Sequence, residues 1–224
     1  MTKIYFLPIL LLATASCLCG FDIPEEYSVE ADSLFNSSRD EQNTIVRVFE
    51  NNNGNTVYYA ATAKLFNHDI ETVAKYLTNI IGYQDYFSLI RRTELIENYS
   101  NELGNETYFS MASVAFAKAL FIGSLDSVIT NENGDLHIYF NKNHDRELNK
   151  RYYNREKGIL TVEFHQFNMR FSLRKTDTNK TRVLLTAVTS PKIWIPQWLF
   201  RISANTFFPR VLTDFENWLK DLVE

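Results

Sequence analysis

The residues best placed for acid–base work are Glu163 and His165. They sit two apart in a run rich in β formers, so a strand puts both on one face with Thr161, and Leu160, Val162 and Phe164 on the other. A carboxylate beside an imidazole can move a proton to or from a substrate near neutral pH. The same alternation also describes the wet side of a half-buried strand, and the wholly apolar partner face favours that reading. Arg182, in a later β run, is a candidate ion-pair partner for Glu163.

Little other chemistry is on offer. The two cysteines are Cys17 and Cys19, so the chain beyond residue 20 has no thiol nucleophile, no disulfide and no cysteine-bound zinc. His68, His137 and His144 lack metal-ligand spacing, and no metal or cofactor is expected. No Ser-His-Asp order, phosphate loop or paired-carboxylate motif stands out. The net charge of -4 argues against a nucleic-acid partner. Residues 143–157 mix Arg146, Lys150, Arg151, Arg155 and Lys157 with three acids. That stretch, like Arg91-Arg92, can touch anionic headgroups peripherally, although mixed signs favour a solvated loop.

Those side chains need a scaffold. At 224 residues, 45% hydrophobic and 22% charged, the chain is expected to fold as one large domain, and 17 Phe with 12 Tyr supply a core or a cavity lining. Residues 1–20 have the layout of a secretory signal: Lys3, an apolar run broken by Pro8, then Ala13-Thr14-Ala15. The run is too short to span a bilayer. Thr14-Ala15-Ser16-Cys17 also resembles a degenerate lipobox, which makes Cys17 a candidate lipidation site. The expectation is an exported protein, periplasmic or secreted, with anchoring through Cys17 as a variant.

Residues 21–43 are polar and read as a linker or a loosely held first helix. Residues 44–49 and 56–66 flank Asn51-Asn52-Asn53-Gly54-Asn55, a hairpin signal. Asp69 is placed to cap a helix whose apolar positions are Ile70, Val73, Ala74, Leu77 and Ile81, and Gly82 ends it. An aromatic helical turn covers 83–90. Runs at 93–99, 107–117, 124–130, 136–141, 158–168, 169–175 and 181–190 are β-rich. From Ile195 the apolar residues return at spacings of three and four to the C-terminus, with Pro209 expected to kink or split that helix.

A sheet of six or seven strands must bury one face, and only the terminal helix is long enough to cover it. Bending the sheet around that helix leaves a middle that side chains fill poorly, hence a cavity. Three segments carry a resemblance to a known family. Residues 60–86 are similar to its opening strand and helix pair, 158–188 to its late paired strands, and 191–199 followed by Pro209 to its last strand entering the gripping helix. The chain over 44–224 therefore resembles the START-like helix-grip superfamily, which includes START lipid-transfer domains, polyketide cyclases and coenzyme Q-binding proteins. The late Gly-x-Trp element of many relatives is absent.

The resemblance implies an α+β helix-grip fold: a curved antiparallel sheet on a long C-terminal helix, with two short helices after the first strand. It also implies non-catalytic binding or transport of a lipid, sterol or quinone. The alternatives are a cyclase- or hydrolase-type enzyme using Glu163 and His165, and an envelope interaction domain without ligand. Strand alternation puts Tyr59, Ala61 and Ala63 on one face, opposite Lys64. Together with Phe87, Met111, Trp198, Ile202, Phe207 and Val211 they form the candidate lining, and small residues across 60–63 and 111–115 favour open space. The sequence assigns no oligomeric state.

Overall fold

The computed structural model describes residues 23–37, 43–100, 104–114, 117–156 and 161–223. Residues 1–20, read above as a secretory signal with Cys17, and Leu160 of the suspected acid–base strand lie outside them. The elements in chain order begin with α1 (Glu25–Asn36), β1 (Thr44–Glu50), β2 (Thr56–Phe66) and α2 (Ile70–Leu77). A 3-10 turn at Ile80–Gly82, α3 (Tyr83–Tyr86), β3 (Ile90–Ser100) and β4 (Glu106–Val114) follow. Next come β5 (Ala117–Thr130), β6 (Leu136–Lys142) and α4 (Arg146–Glu156). The chain closes with β7 (Thr161–Val162), β8 (Phe164–Asp177), β9 (Lys180–Pro191) and α5 (Gln197–Val223).

Local chemistry explains the sharpest boundaries. In the β1–β2 hairpin the Asn51 side-chain oxygen accepts from the N–H groups of Asn53 (3.0 Å) and Asn55 (2.9 Å), while Gly54 takes a φ of 71°. The β5–β6 turn repeats the device: Asn131 accepts from Asn133 (3.0 Å) and Asp135 (2.8 Å), and Gly134 has a φ of 80°. Only glycine occupies that backbone region without strain. At the start of α2, Asp69 accepts from the Thr72 N–H at 2.8 Å, satisfying one of the helix's orphan donors. Those bonds hold the Asp69 carboxyl below its ordinary range.

Nine strands among the described residues make one sheet, ordered β1-β2-β9-β8-β6-β5-β4-β3. Neighbours along this path are antiparallel, and β7 runs parallel to the first residues of β5 through Lys118↔Thr161 and Ala119↔Val162. The sheet curves on α5, so the α+β helix-grip architecture holds. Nine strands replace six or seven because a hairpin opens the domain and a detour through α4 adds β7. For the same reason the short helices α2 and α3 follow the second strand rather than the first.

Both faces of the sheet are covered. On the convex side Ala31 and Phe35 of α1 pack on Val57, Tyr59, Ala61, Ala63, Leu184 and Val188. Farther along, Leu148 and Tyr152 of α4 pack on Ile96, Phe109, Leu120 and Ile122. Residues 143–157, expected as a solvated loop, thus hold a helix whose Asp145 side chain accepts from the Leu148 N–H at 2.9 Å. Its charges are used locally: Arg155 bonds Glu94 (2.6 Å) and Glu156 (2.9 Å), and Arg92 bonds Glu156 (3.0 Å).

The concave side holds α2, α3 and α5. Pro209 lies inside α5 without splitting it; Phe208, Val211 and Leu212, buried on either side of it, hold the helix to the sheet. At the end where α2 and α3 sit, rings fill the interior: Tyr86–Trp218 at 4.0 Å, Tyr83–Phe87 at 4.9 Å and Phe66–Phe215 at 5.7 Å between centroids. Burial pushes the Tyr83 phenol well up, and its hydroxyl donates to the Leu77 carbonyl at 2.5 Å. The opposite end of the same layer is not filled.

Candidate functional site

A cavity of about 500 Å³ opens between the sheet and the first half of α5. Its floor comes from Ala187 and Thr189 of β9 with Phe167 and Met169 of β8. One wall is Ala119 and Phe121 of β5 beside Thr161 and Val162 of β7. Leu199, Phe200, Ser203, Ala204 and Phe207 of α5 form the roof, and the loop Ile193-Trp194-Ile195-Pro196 frames the mouth. Small side chains face one another here, Ala187 and Ala119 across to Ala204, whereas the filled end sets Phe66 against Phe215. That contrast in residue volume produces the hollow.

Behind it lies a smaller hollow of about 100 Å³ toward Ile80, Tyr83 and Tyr108. Phe121, Phe164, Phe167, Met169 and Phe207 border both spaces. Three of these rings form a partition: Phe121 lies 4.3 Å from Phe167 and 5.2 Å from Phe164 between centroids.

The lining is uncharged. Among the described residues the larger cavity is bordered by no Asp, Glu, Lys, Arg or His, and its hydrogen-bonding side chains are Tyr153, Thr161, Thr189, Ser203 and the Trp194 indole. An isolated ion placed there would lose its hydration without gaining a partner. The cavity therefore suits an uncharged, largely apolar occupant, and its volume is within the roughly 300–1,000 Å³ of small-molecule sites.

The mouth loop is tied down on both sides. Tyr58 of β2 donates its hydroxyl to the Ile195 carbonyl at 2.6 Å, with its ring 4.4 Å from that of Phe200. Burial raises the Tyr58 phenol. From the other side the Lys192 N–H donates to the Glu163 carbonyl at 2.8 Å, and its ammonium pairs with the Glu163 carboxylate. Half-buried Lys142 donates to the carbonyl oxygens of Phe164 and His165, bracing the bulge where β8 begins. Burial, with nearby Lys192, lowers its pKa.

Of the expected lining residues, Phe207 borders both hollows. Tyr59, Ala61 and Ala63 face α1 on the convex side, and Met111 packs there near α4. Lys64 points the other way, towards Glu216 of α5, so the cavity side of β2 is the even-numbered one. Phe87 and Val211 are in the filled part of the concave core. Trp198 and Ile202 lie on the outer face of α5 and are exposed. The suspected acid–base pair does not meet in the cavity: Glu163 is held by Lys192, and His165 faces solvent. Arg182 bonds the Leu34 carbonyl of α1 at 3.1 Å rather than Glu163. His137 bonds Ser172 (2.9 Å), and no metal-holding cluster of His, Cys, Asp and Glu occurs among the described residues.

Sequence reasoning missed Thr161, Val162, Phe164, Phe167 and Met169 because β7 ends at Val162 and a bulge follows Phe164, so the period-two alternation fails there. The usable signal was the small-residue set Ala117, Ala119, Ala187, Ser203 and Ala204.

No protein-family model matches the sequence, and no curated protein matches it. Solved structures do. The human StAR-related lipid transfer protein 5 aligns with 89% of this chain and 96% of its own, at 10% identity and a TM-score of 0.58. A STAR-related lipid transfer protein from Xanthomonas axonopodis aligns over 78% and 98%, at 12% identity and 0.53. The Zhui aromatase/cyclase from a Streptomyces species aligns over 75% and 96%, at 11% identity and 0.54. These likenesses establish the fold as START-like helix-grip.

Proposed function

We propose that the chain binds an uncharged hydrophobic molecule of the lipid, sterol or quinone class in this cavity and carries it without covalent chemistry. The observation that carries the reading is the lining, about 500 Å³ of space open at one mouth and bordered by aliphatic and aromatic side chains and a few hydroxyls. Moving a lipid through water exposes its tail at about 0.8 kcal/mol per CH₂. A cavity of this kind removes that cost during transit. The leader adds the setting, outside the cytoplasm, where hydrophobic molecules must cross an aqueous gap.

An aromatase/cyclase shares the fold, and the enzyme reading needs a proton-transfer pair facing the ligand. Glu163 and His165 are directed elsewhere, which favours the carrier. The test is native mass spectrometry of gently purified protein, followed by organic extraction. A retained apolar compound at one per chain is the expected result; a clean apo mass from several expression hosts, with no uptake from added lipid, would overturn the reading.

A further inference from the structure

We propose that the rim of the cavity docks on an anionic lipid bilayer through Ile193, Trp194, Trp198 and Ile202, an inference that rests on the carrier reading of the cavity behind it. These four are 51%, 79%, 64% and 57% exposed. Two of them, Ile193 and Trp194, also frame the mouth. The first turns of α5 carry apolar side chains on two sides: Leu199, Phe200 and Ala204 face the cavity, while Trp198 and Ile202 face out beside the exposed polar stripe of Gln197, Arg201 and Asn205. Single exposed apolar side chains are ordinary, but four large ones grouped at the mouth of an apolar cavity mark a surface that meets protein or lipid. Tryptophan in particular settles at the water–bilayer boundary, where its ring is half dry and its N–H half wet.

Charge selects the kind of bilayer. The chain carries -4 overall, yet residues 191–209 contain no Asp or Glu and hold Lys192 and Arg201. Lys192 is shared with Glu163, so the free positive character comes from exposed Arg201 and from the N-terminal end of a 27-residue helix. Both sit beside the exposed rings, an arrangement that favours anionic headgroups. Docked in this way, the mouth opens against the acyl layer, and a ligand passes between membrane and cavity without meeting water.

The three tryptophans make the test direct, since Trp218 lies in the core against Tyr86 and the other two lie at the rim. The full chain is mixed with phosphatidylcholine vesicles, with and without phosphatidylglycerol, whose acyl chains carry bromine. Fluorescence of Trp218→Phe, which keeps the rim pair, is expected to be quenched, more so with phosphatidylglycerol. Fluorescence of Trp194→Phe/Trp198→Phe, which keeps Trp218, is expected to stay unquenched. Trp194→Ser/Trp198→Ser should weaken vesicle binding by about tenfold or more. No quenching of the rim pair, equal quenching of both variants, or a concentration-dependent dimer that shields the rim pair from vesicles overturns the proposal. Native mass spectrometry on the same samples separates the two ideas. Bound ligand without rim quenching sinks docking alone, and rim quenching on a protein that never holds ligand sinks the carrier alone.

Discussion

Lys64 Nζ lies 3.0 Å from Glu216 Oε2, joining the second strand to the terminal helix across the concave face. Lys220, one turn on, reaches the other oxygen of the same carboxylate, also at 3.0 Å. Burial alone would raise the Glu216 carboxyl; the hydrogen bonds and charges of Lys220 and Lys64 outweigh it and leave the group below its ordinary range. A carboxyl whose folded pKa is depressed stabilises the fold fully above the unfolded value of about 4.3 and loses that contribution as pH falls through the folded value. Glu216→Gln should therefore cost about 1–3 kcal/mol at pH 7. The difference from wild type should shrink in denaturant titrations below about pH 4. A gap that stays constant from pH 7 to pH 3 would contradict the assignment.

Ala61 and Ser203 separate packing from loading. A tryptophan at Ala61 has to displace α1 on the convex side, so Ala61→Trp should destabilise by about 1–3 kcal/mol while bound ligand is retained. A tryptophan at Ser203 projects from the roof into the open space and should abolish loading with the melting temperature little changed. Thermal melts paired with extraction of bound organics check both. The opposite assignment, empty Ala61→Trp and loaded Ser203→Trp, would mean that the ligand lies on the other face of the sheet.

The aromatic partition sets a length limit. Removing the Phe121 ring should join the large cavity to the hollow of about 100 Å³ behind it, room for about three methylene groups if each needs roughly the 30 Å³ of a water molecule. Phe121→Ala should shift the co-purified ligands, or a competing series of fatty alcohols, toward chains about three carbons longer. An unchanged length preference would show that ligands stop short of the partition.

Gly123 should tolerate no side chain. A Cβ there would stand 2.5 Å from the Asn141 carbonyl oxygen across the β5–β6 pair, and a backbone atom cannot swing aside. Gly123→Ala is expected to lower stability by about 1–3 kcal/mol. The same substitution at Gly82 meets a side chain instead, the buried Tyr86 ring, which would have to shift against Trp218. A neutral Gly123→Ala in chemical denaturation would imply that the two strands part freely at this point.

The parts of the fold that could be read from residues were those with local physics behind them. Asp69 as a cap, the Asn-Gly turns and the apolar period of the last helix each depend on neighbours a few positions away. The cavity face of β2 was not readable in this way. Val57 to Ala63 are buried without interruption because α1 covers one side and α5 the other, and a strand apolar on both faces carries no period-two signal. Helix α4 escaped for the converse reason: its contact with the sheet rests on Leu148 and Tyr152 amid a charged majority. The candidate site suffered from both effects, since it is built where two strands meet at a bulge and where the useful residues are conspicuous only for being small.

Pro209 divides the gripping helix into two stretches with different jobs. Proline has no N–H to offer the carbonyl of Asn205, so the ladder is one rung short at that turn and a bend there breaks no bond that already exists. Downstream, Phe215 and Leu219 are wedged among rings; upstream, residues 197–208 span the hollow. On the carrier reading proposed above, exchange of cargo asks those dozen residues to tilt like a hatch once the Tyr58 bond to Ile195 lets go, while the rest of the helix keeps the domain folded.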